Sequence, residues 1–186
     1  STTDKAIMMK VKQGDVQKLA LLYERYNRSL FSFFYRKTKE SQLSEDLVQS
    51  VFERILRYRA TYSGSGPFTT WMFSIARNAH IDHFRKVKRR KEDELPDEER
   101  IAGEVPTGYE ELDERNKKKV LLEKALDMLD EDKREVVILS RYEGLKYQEI
   151  AEIQGVTESA IKVRMFRAMK DLKVFVTTLS EEYNHE

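Results

Sequence analysis

The sequence has no cysteine, only three prolines and seven glycines, and a single tryptophan among its 186 residues. The absence of cysteine excludes disulfide bonds and thiolate metal ligands, which fits a reducing compartment. There is no run of about 18 apolar residues and no signal-type N-terminus, so we expect no membrane insertion and a cytoplasmic location. Few helix-breaking residues remain to interrupt long helices.

Apolar residues recur at three- and four-residue spacing along almost the whole chain, and no segment alternates as a half-buried strand does. This pattern predicts an all-α fold. We expect Ser44 to cap the helix of the second apolar stripe and Pro67 to begin the helix of the third. The four main stripes consist of Leu19, Leu22, Tyr23, Tyr26, Leu30, Phe33 and Phe34; Leu47, Val48, Val51, Phe52 and Ile55; Met72, Ile75, Ala76 and Ala79; and Leu122, Ala125, Leu126 and Leu129.

Charge is distributed unevenly, although the formal net charge is only +1. Residues 92–114 hold eleven acidic side chains and one basic side chain, a local charge of −10 that leaves +11 on the remainder. Two basic bodies joined by an acidic connector favour nucleic acid over an anionic membrane as the partner. The connector also has few apolar residues, which predicts a flexible linker. We therefore expect two small helical domains, at residues 1–91 and 115–186.

The segment 67–91 combines aromatic rings with a cluster of cations. A cationic surface attracts phosphates whatever the sequence, and ring faces stack on unpaired bases. Trp71, Asn78 and Arg85 lie seven residues apart along one helical line and could stack on a base, bond to its edge and hold a phosphate. Alternatively, Trp71 anchors the core and Asn78 is a capping or solvated residue. The cations are Arg85, Lys86, Lys88, Arg89, Arg90 and Lys91.

His80, Asp82 and His83 form a second candidate cluster in the same segment. The two histidines are three residues apart on a helix and could share a metal ion, but no third ligand lies at a recognisable spacing. We therefore expect solvated or DNA-facing side chains, with no metal site, no catalytic residue and no cofactor.

The segment 147–172 has the spacing of a helix-turn-helix, the fold of many proteins that read duplex DNA. Ala151 allows close approach of the two helices, Gly155 can adopt the left-handed backbone of the turn, and Ile161 packs the second helix down. Thr157 can cap that second helix. The residues expected to face a major groove are Glu158, Ser159, Lys162, Val163, Phe166 and Arg167.

Two positions depart from this pattern. Gln154 stands where an apolar residue normally closes the hairpin, and Lys146 stands where a serine or threonine cap is expected. Either could cost about 1 kcal/mol without changing the fold. An ordinary helical hairpin with a basic solvent face remains the alternative interpretation.

The chain resembles the extracytoplasmic-function group of bacterial RNA polymerase sigma factors in four motifs that occur in the same order. The last of the four is the helix-turn-helix. The resemblance covers nearly the whole chain apart from the linker. The other three motifs are Gln13-Gly14-Asp15, Ser44-Glu45-Asp46-Leu47-Val48-Gln49 and Phe68-Thr69-Thr70-Trp71-Met72-Phe73-Ser74-Ile75-Ala76-Arg77-Asn78.

The resemblance implies a residue 1–91 domain (sigma region 2) that docks on polymerase and melts the −10 element, and a residue 115–186 domain (sigma region 4) that binds the −35 element. The implied contacts to the clamp helices of the largest polymerase subunit are Glu45, Asp46, Gln49 and Glu53. The implied −10 DNA contacts are Phe68, Trp71, Arg77, Asn78, Arg85, Lys88, Arg89 and Arg90. The implied −35 contacts are Ser140, Arg141, Tyr147, Glu158, Ser159, Lys162, Val163, Phe166 and Arg167, with Val163 in place of a serine that is common there.

The resemblance further implies that the linker, residues 92–114, runs through polymerase near its active site. The partners would be core polymerase, promoter DNA as duplex and as non-template single strand, and an anti-sigma factor. The chain would be no enzyme, since polymerase performs the phosphoryl chemistry. Two rivals stay open at this point: a free-standing helix-turn-helix regulator of duplex DNA, and a metal-dependent hydrolase built on the histidine cluster.

Overall fold

The computed structural model describes residues 2–93 and 108–185, and within these ranges every regular element is helical. The eight α-helices are α1 (Asp4–Lys12), α2 (Leu19–Thr38), α3 (Ser41–Tyr58), α4 (Phe68–Asp93), α5 (Glu114–Asp127), α6 (Glu131–Val137), α7 (Tyr147–Gln154) and α8 (Glu158–His185). The predicted all-α fold of two helical domains is confirmed. None of the described helices is long and apolar enough to cross a membrane.

Helices α1 to α4 form the N-terminal domain around one apolar core. The rings of Phe33 and Phe73 meet at the centre with centroids 5.4 Å apart, and both side chains are buried. The predicted inner face of α4 is confirmed, because Met72, Ile75, Ala76 and Ala79 are all buried. Thr3 begins the domain by accepting a hydrogen bond from the Ala6 amide at 3.2 Å, which caps α1.

The start of α3 differs from the predicted one. The helix begins at Ser41, three residues before the expected cap, and Ser44 lies fully buried inside its first turn. The Ser44 hydroxyl donates to the Glu40 carbonyl oxygen at 2.6 Å instead of capping amides. Serine can bond either way, and here the bond to the carbonyl four residues back is made. Helix α4 begins at Phe68, directly after Pro67.

Helices α5 to α8 form the C-terminal domain. In α5 the inward leucine is Leu121, whereas Leu122 of the predicted stripe is 43% exposed. Helix α6 continues into a π-helical turn over Ile138–Tyr142. Gly155 then joins α7 to α8 with a left-handed φ of 67°, and the Thr157 hydroxyl accepts from the Ala160 amide at 3.1 Å. The predicted turn and cap are thus both present.

The ends of the predicted acidic linker are ordered. Helix α4 continues to Asp93, and a short 3₁₀ helix covers Tyr109–Glu111. Tyr109 is buried against Tyr183 near the end of α8, with ring centroids 4.8 Å apart. The contact between the two rings stabilises the packing of this segment although most residues around Tyr109 are polar. The rest of the expected linker, residues 94–107, lies outside the described residues.

The two domains pack directly on each other. Helix α4 lies along α7, and the C-terminal end of α2 approaches α6 and the π-helical turn that follows it. The N-terminal domain contributes cations to this contact and the C-terminal domain contributes carboxylates, as in the pairs Lys39 with Asp127 at 3.2 Å and Lys37 with Glu131 at 2.9 Å.

Candidate nucleic-acid interface

Trp71 lies on the first turn of α4, half-buried between two cavities. Its ring centroid lies 5.1 Å from that of Tyr62 and 6.1 Å from that of Phe68, so one side of the indole rests on the domain. A cavity of about 310 Å³ opens between the indole and the loop 61–67, and another of about 250 Å³ opens toward Asn78. Trp71 therefore fits both alternatives that the sequence leaves open. One side of the indole packs on the core, and the rest forms a cavity wall where a base could stack.

Phe68 does not lie at the surface. It is only 3% exposed, and its ring packs against Tyr26 at 5.7 Å and Tyr62 at 6.2 Å between centroids. Phe73 is buried as well. The expectation of exposed ring faces at the start of α4 is therefore corrected for these two residues, because the first turn of the helix closes an aromatic cluster of the core.

Two hydroxyl groups in the wall of the 310 Å³ cavity were not singled out from the sequence. Tyr62 and Thr70 are both buried, and neither hydroxyl has a hydrogen-bond partner among the described residues. A buried polar group without a partner costs about 1–3 kcal/mol, so such groups mark places where a ligand can bond. Thr70 lies within the Phe68–Asn78 motif, but nothing in the sequence indicates that its hydroxyl or that of Tyr62 is buried at a cavity.

The remaining predicted −10 residues follow α4 toward its C-terminus. Asn78 is exposed at the rim of the 250 Å³ cavity, together with Arg54 and Tyr58 of α3. At about 1.5 Å per residue, Arg85 lies roughly 10 Å beyond Asn78 along the helix axis. All cations of the last turns are exposed: Arg85, Lys86, Lys88, Arg89, Arg90 and Lys91.

Arg77 is the exception on this helix. Its Nε donates to Oε1 of Glu135 at 2.7 Å, and its Nη2 lies 3.6 Å from a carboxylate oxygen of Asp132. Both carboxylates belong to α6 of the C-terminal domain. The structure therefore places Arg77 in the contact between domains, where its guanidinium is not free to bind a phosphate.

The histidine cluster does not converge on one point. His80 is buried and lies 3.8 Å from Glu131, whereas Asp82 accepts from Arg54 at 2.8 Å. Burial and the nearby Lys37 lower the pKa of His80 to about 4, so the imidazole is neutral at pH 7. Within residues 2–93 and 108–185, no group of three or more potential ligands could hold a metal ion.

A second surface of the N-terminal domain lies between α2 and α3. The four residues predicted to bind polymerase project from α3 and are exposed: Glu45, Asp46, Gln49 and Glu53. A groove of about 480 Å³ separates the first of them from Tyr23, Asn27 and Phe31 of α2. These α2 residues are spaced by four and share one helical face. The sequence analysis includes Tyr23 in an apolar stripe, but its side chain is 44% exposed at this groove.

The C-terminal domain presents the first turns of α8. All six residues expected in a major groove are exposed: Glu158, Ser159, Lys162, Val163, Phe166 and Arg167. Phe166 is 73% exposed and Val163, three residues earlier on the helix, is 49% exposed, so the two form an apolar patch on this face. A cavity of about 730 Å³ separates this face from the acidic start of α6 at residues 130–132.

Three further residues were expected near phosphates. Arg141 is exposed and Ser140 is half-buried, and both lie in the π-helical turn. Tyr147, the first residue of α7, is also half-buried. Arg164, which the sequence did not single out, is also half-buried and donates to the side-chain oxygen of Gln154. It lies on α8 between Lys162 and Phe166, and its guanidinium is bound to α7 of the same domain.

Comparison with protein families adds two matches. Residues 22–90 match the model described as sigma-70 region 2, and residues 119–172 match the model described as sigma-70, region 4. The first range covers most of α2, all of α3 and most of α4, and the second runs from the middle of α5 to the middle of α8.

Several characterised proteins are similar over most of their length. The chain is 30% identical over 172 residues to the ECF RNA polymerase sigma factor SigX of Bacillus subtilis, a match that covers 87% of this chain and 85% of SigX. It is 28% identical over 175 residues to RNA polymerase sigma factor CarQ of Myxococcus xanthus, covering 94% and 98% of the two chains.

Two solved structures share the fold. The sigma factor RpoE of Bartonella quintana, in complex with the anti-sigma factor NepR, is 25% identical with a TM-score of 0.69, covering 87% of this chain and 98% of that chain. CnrH, in complex with the cytosolic domain of CnrY, is 20% identical with a TM-score of 0.70, covering 94% and 97%.

Proposed function

Because this chain belongs to the extracytoplasmic-function group of RNA polymerase sigma factors, we propose a role for each of its three surfaces in promoter-directed transcription. As a sigma factor it binds core RNA polymerase, directs it to promoters and assists promoter opening. The groove between α2 and α3 binds polymerase, the Trp71 cavities take unpaired −10 bases, and the exposed face of α8 reads the −35 duplex.

The proposed polymerase contact is supported by shape as well as by charge. The carboxylates of Glu45, Asp46 and Glu53 and the amide of Gln49 stay exposed on α3 and have no structural task in the core. Beside them, the groove adds the half-buried ring of Phe31. Grooves with an apolar floor and a polar rim are typical of surfaces that receive a helix of a partner.

The single observation that carries the −10 assignment is the position of Trp71 between two cavities. A base that leaves the duplex costs a few kcal/mol and needs compensation from stacking and pocket contacts. The indole offers a stacking surface, the buried hydroxyls of Tyr62 and Thr70 offer hydrogen bonds, and Asn78 offers an amide at the rim. The cations from Arg85 to Arg90 then hold the backbone.

In the C-terminal domain the proposed −35 contact is a helix in the major groove. Lys162 and Arg167 can bond to base edges or phosphates, and Phe166 can contact a thymine methyl group. Phosphates of the same duplex are the proposed ligands of Ser140, Arg141 and Tyr147. Phosphate contacts of this kind set register without reading sequence.

Regulation and location follow from the same assignment. An anti-sigma factor is the proposed inhibitory partner, since RpoE of Bartonella quintana shares this fold in its complex with the anti-sigma factor NepR. The chain works in the cytoplasm, where core polymerase and DNA are found. It contributes binding and strand opening, and the polymerase carries out the phosphoryl transfer.

Replacing Trp71 tests the −10 assignment. Transcription is first measured with bacterial core polymerase on a genomic template pool, where we expect promoter-specific RNA only when the chain is added. On a promoter identified this way, we expect Trp71→Ala to slow open-complex formation roughly 5- to 100-fold on duplex DNA, the loss of one stacked base. On a template melted beforehand over the −10 element, the loss is smaller.

Trp71→Phe is the matched control, because it keeps a ring that can stack and is expected to retain most activity. Equal losses for Trp71→Ala on duplex and melted templates would contradict a role in opening and assign Trp71 to the core or to later steps. Tight binding of the chain alone to duplex promoter, without any effect of core polymerase, would favour the free-standing regulator instead.

A further inference from the structure

Gln154, the residue that breaks the helix-turn-helix pattern, is part of a buried polar network between the two domains. Its side-chain nitrogen donates to Oε1 of Glu135 at 3.0 Å, and its oxygen accepts from Arg164. An apolar residue at this position would pack the hairpin equally well, but it could not make these bonds. The departure from the pattern therefore has a structural purpose outside the hairpin.

Glu135 is the centre of the network. Its carboxylate accepts from Lys37 of α2, from Arg77 of α4 and from Gln154 of α7, so three helices donate to one side chain of α6. The side chains of Lys37 and Glu135 are only 1% and 2% exposed. Burial alone would raise the pKa of Glu135, but the attraction of Lys37 and Arg77 outweighs it and lowers the pKa. The group is ionised at pH 7.

The closed arrangement covers part of the proposed −10 surface. Arg77, two turns beyond Trp71, is bound to Glu135 rather than exposed. Helix α7 lies along α4, and its Glu152 lines the 310 Å³ cavity beside Trp71. A carboxylate at this position repels a nucleic-acid phosphate. Single-stranded DNA and the C-terminal domain therefore compete for the same part of α4.

We infer that the free chain masks its own −10 surface and that the Lys37–Glu135–Arg77–Gln154 network is the latch. This inference rests on the proposed function of the Trp71 cavities. A buried ion pair contributes little net stability when complete, yet it is strongly destabilising when one partner is removed. Such a contact makes closure specific to one arrangement of the domains. A partner that binds either domain can reverse it easily. Binding to polymerase, which must hold the domains at separate promoter elements, opens it.

Glu135→Gln tests the latch in the full chain without polymerase. Because the chain has no cysteine, Gln17→Cys and Lys173→Cys, at exposed positions of the two domains, allow a donor–acceptor dye pair for energy transfer. A fluorescent single-stranded DNA dodecamer of mixed sequence reports binding by anisotropy. If about one molecule in ten is open at rest, we expect lower energy transfer and about tenfold tighter DNA binding in the variant.

Two further variants separate masking from net charge. Glu181→Gln makes the same charge change at an exposed site near the end of α8, and we expect neither energy transfer nor DNA affinity to change beyond the small gain from one lost negative charge. Lys37→Gln breaks the latch from the other side and removes a positive charge. We still expect it to open the chain and to tighten DNA binding.

The energy-transfer signal distinguishes failure of the latch from failure of the −10 assignment. Unchanged energy transfer in both Glu135→Gln and Lys37→Gln, with helix content retained in circular dichroism, overturns the latch whatever the DNA does. Reduced energy transfer without a gain in DNA affinity over Glu181→Gln overturns the masking. In that case the latch exists, and the proposed role of the Trp71 surface has failed.

Discussion

Tyr62 carries a polar group in an unfavourable place. Its ring belongs to the aromatic cluster with Phe68 and Trp71, but its hydroxyl is buried and without a partner among the described residues. Burial, with Asp4 nearby, raises the pKa of this phenol, so it stays protonated and able to donate. An unpaired buried donor destabilises the fold. Its position in a cavity wall is consistent with a hydrogen bond that forms only when a base is bound.

Tyr62→Phe should therefore separate stability from function. We expect the midpoint of thermal unfolding to stay the same or rise, because an unpaired buried hydroxyl is removed and the ring is kept. Promoter opening with core polymerase should fall roughly two- to tenfold, the net worth of one hydrogen bond. Calorimetry and the kinetics of open-complex formation measure the two effects.

Tyr26→Phe is the control for this substitution. The Tyr26 hydroxyl donates to Asp4, so its loss should lower the unfolding midpoint without a specific effect on promoter opening. If Tyr62→Phe also lowered the midpoint and left opening unchanged, the Tyr62 hydroxyl would have a structural partner and no part in base binding.

At single residues, the sequence predicts what local rules determine. The turn at Gly155 and the cap at Thr157 depend on backbone conformations within a few residues, and both are found as predicted. The partners of Glu135 were not predictable, since Arg77 and Lys37 are separated from it by 58 and 98 positions. Periodicity indicates that a helix face is buried, but not what it meets.

Helices α7 and α8 show how a short local signal positions a long functional element. Helix α8 is 28 residues long, and the exposed residues that are proposed to face DNA all lie in its first three turns, directly after the cap. The Thr157 hydroxyl satisfies the Ala160 amide there. Fraying of this end would therefore displace the proposed −35 face first.

We expect Thr157→Ala to destabilise the C-terminal domain by about 1 kcal/mol, because the first turn of α8 loses its cap. Thr177→Ala, on the same helix, is the matched control. Its hydroxyl donates to the Lys173 carbonyl oxygen four residues back, a bond that does not help the helix, and alanine has the higher helix propensity. Chemical denaturation of both variants, and their affinity for duplex promoter in the presence of polymerase, would show the difference. A loss of equal size at Thr177 would contradict the cap as the cause.

Helix boundaries were harder to predict than helix faces. The predicted apolar stripe of α3 is confirmed, but the helix begins four positions earlier than predicted, because Ser44 bonds to the Glu40 carbonyl instead of capping the helix. In α5 two leucines are adjacent, and Leu121 is buried whereas Leu122 of the predicted stripe is exposed. The acidic composition near Tyr109 predicted no packing, since composition does not show that Tyr183, 74 positions later, returns to it.

Across the whole molecule, opposite charges are divided between the domains. At the domain contact, the N-terminal domain supplies Arg36, Lys37, Lys39 and Arg77, and the C-terminal domain supplies Glu123, Asp127, Glu131, Asp132 and Glu135. The formal charge of each segment in the sequence gives no indication of this complementarity. Arg77 is the one predicted −10 residue among these cations, and its guanidinium binds carboxylates of the chain itself.

His80 gives this equilibrium a pH dependence. The groups that face it are Lys37 of α2, Glu131 and Glu135 of α6, and His83 on its own helix. Burial and Lys37 lower the pKa of His80 from 6.5 to about 4, although the two glutamates oppose the shift. A lowered histidine pKa means that the closed state binds fewer protons than the open one. Closure should therefore weaken as pH falls below 6.5, by up to about tenfold per unit.

Energy transfer between dyes at Gln17→Cys and Lys173→Cys, followed from pH 7.5 to 5, measures this effect. The lowered pKa of Glu135 does not interfere, since its contribution is lost only below its ordinary value of 4.5. We expect the signal to fall toward pH 5 in the native background and in His83→Gln, and to stay level in His80→Gln. A profile that persists in His80→Gln would assign the titration to another group, and a flat native profile would show that opening leaves His80 as buried as before.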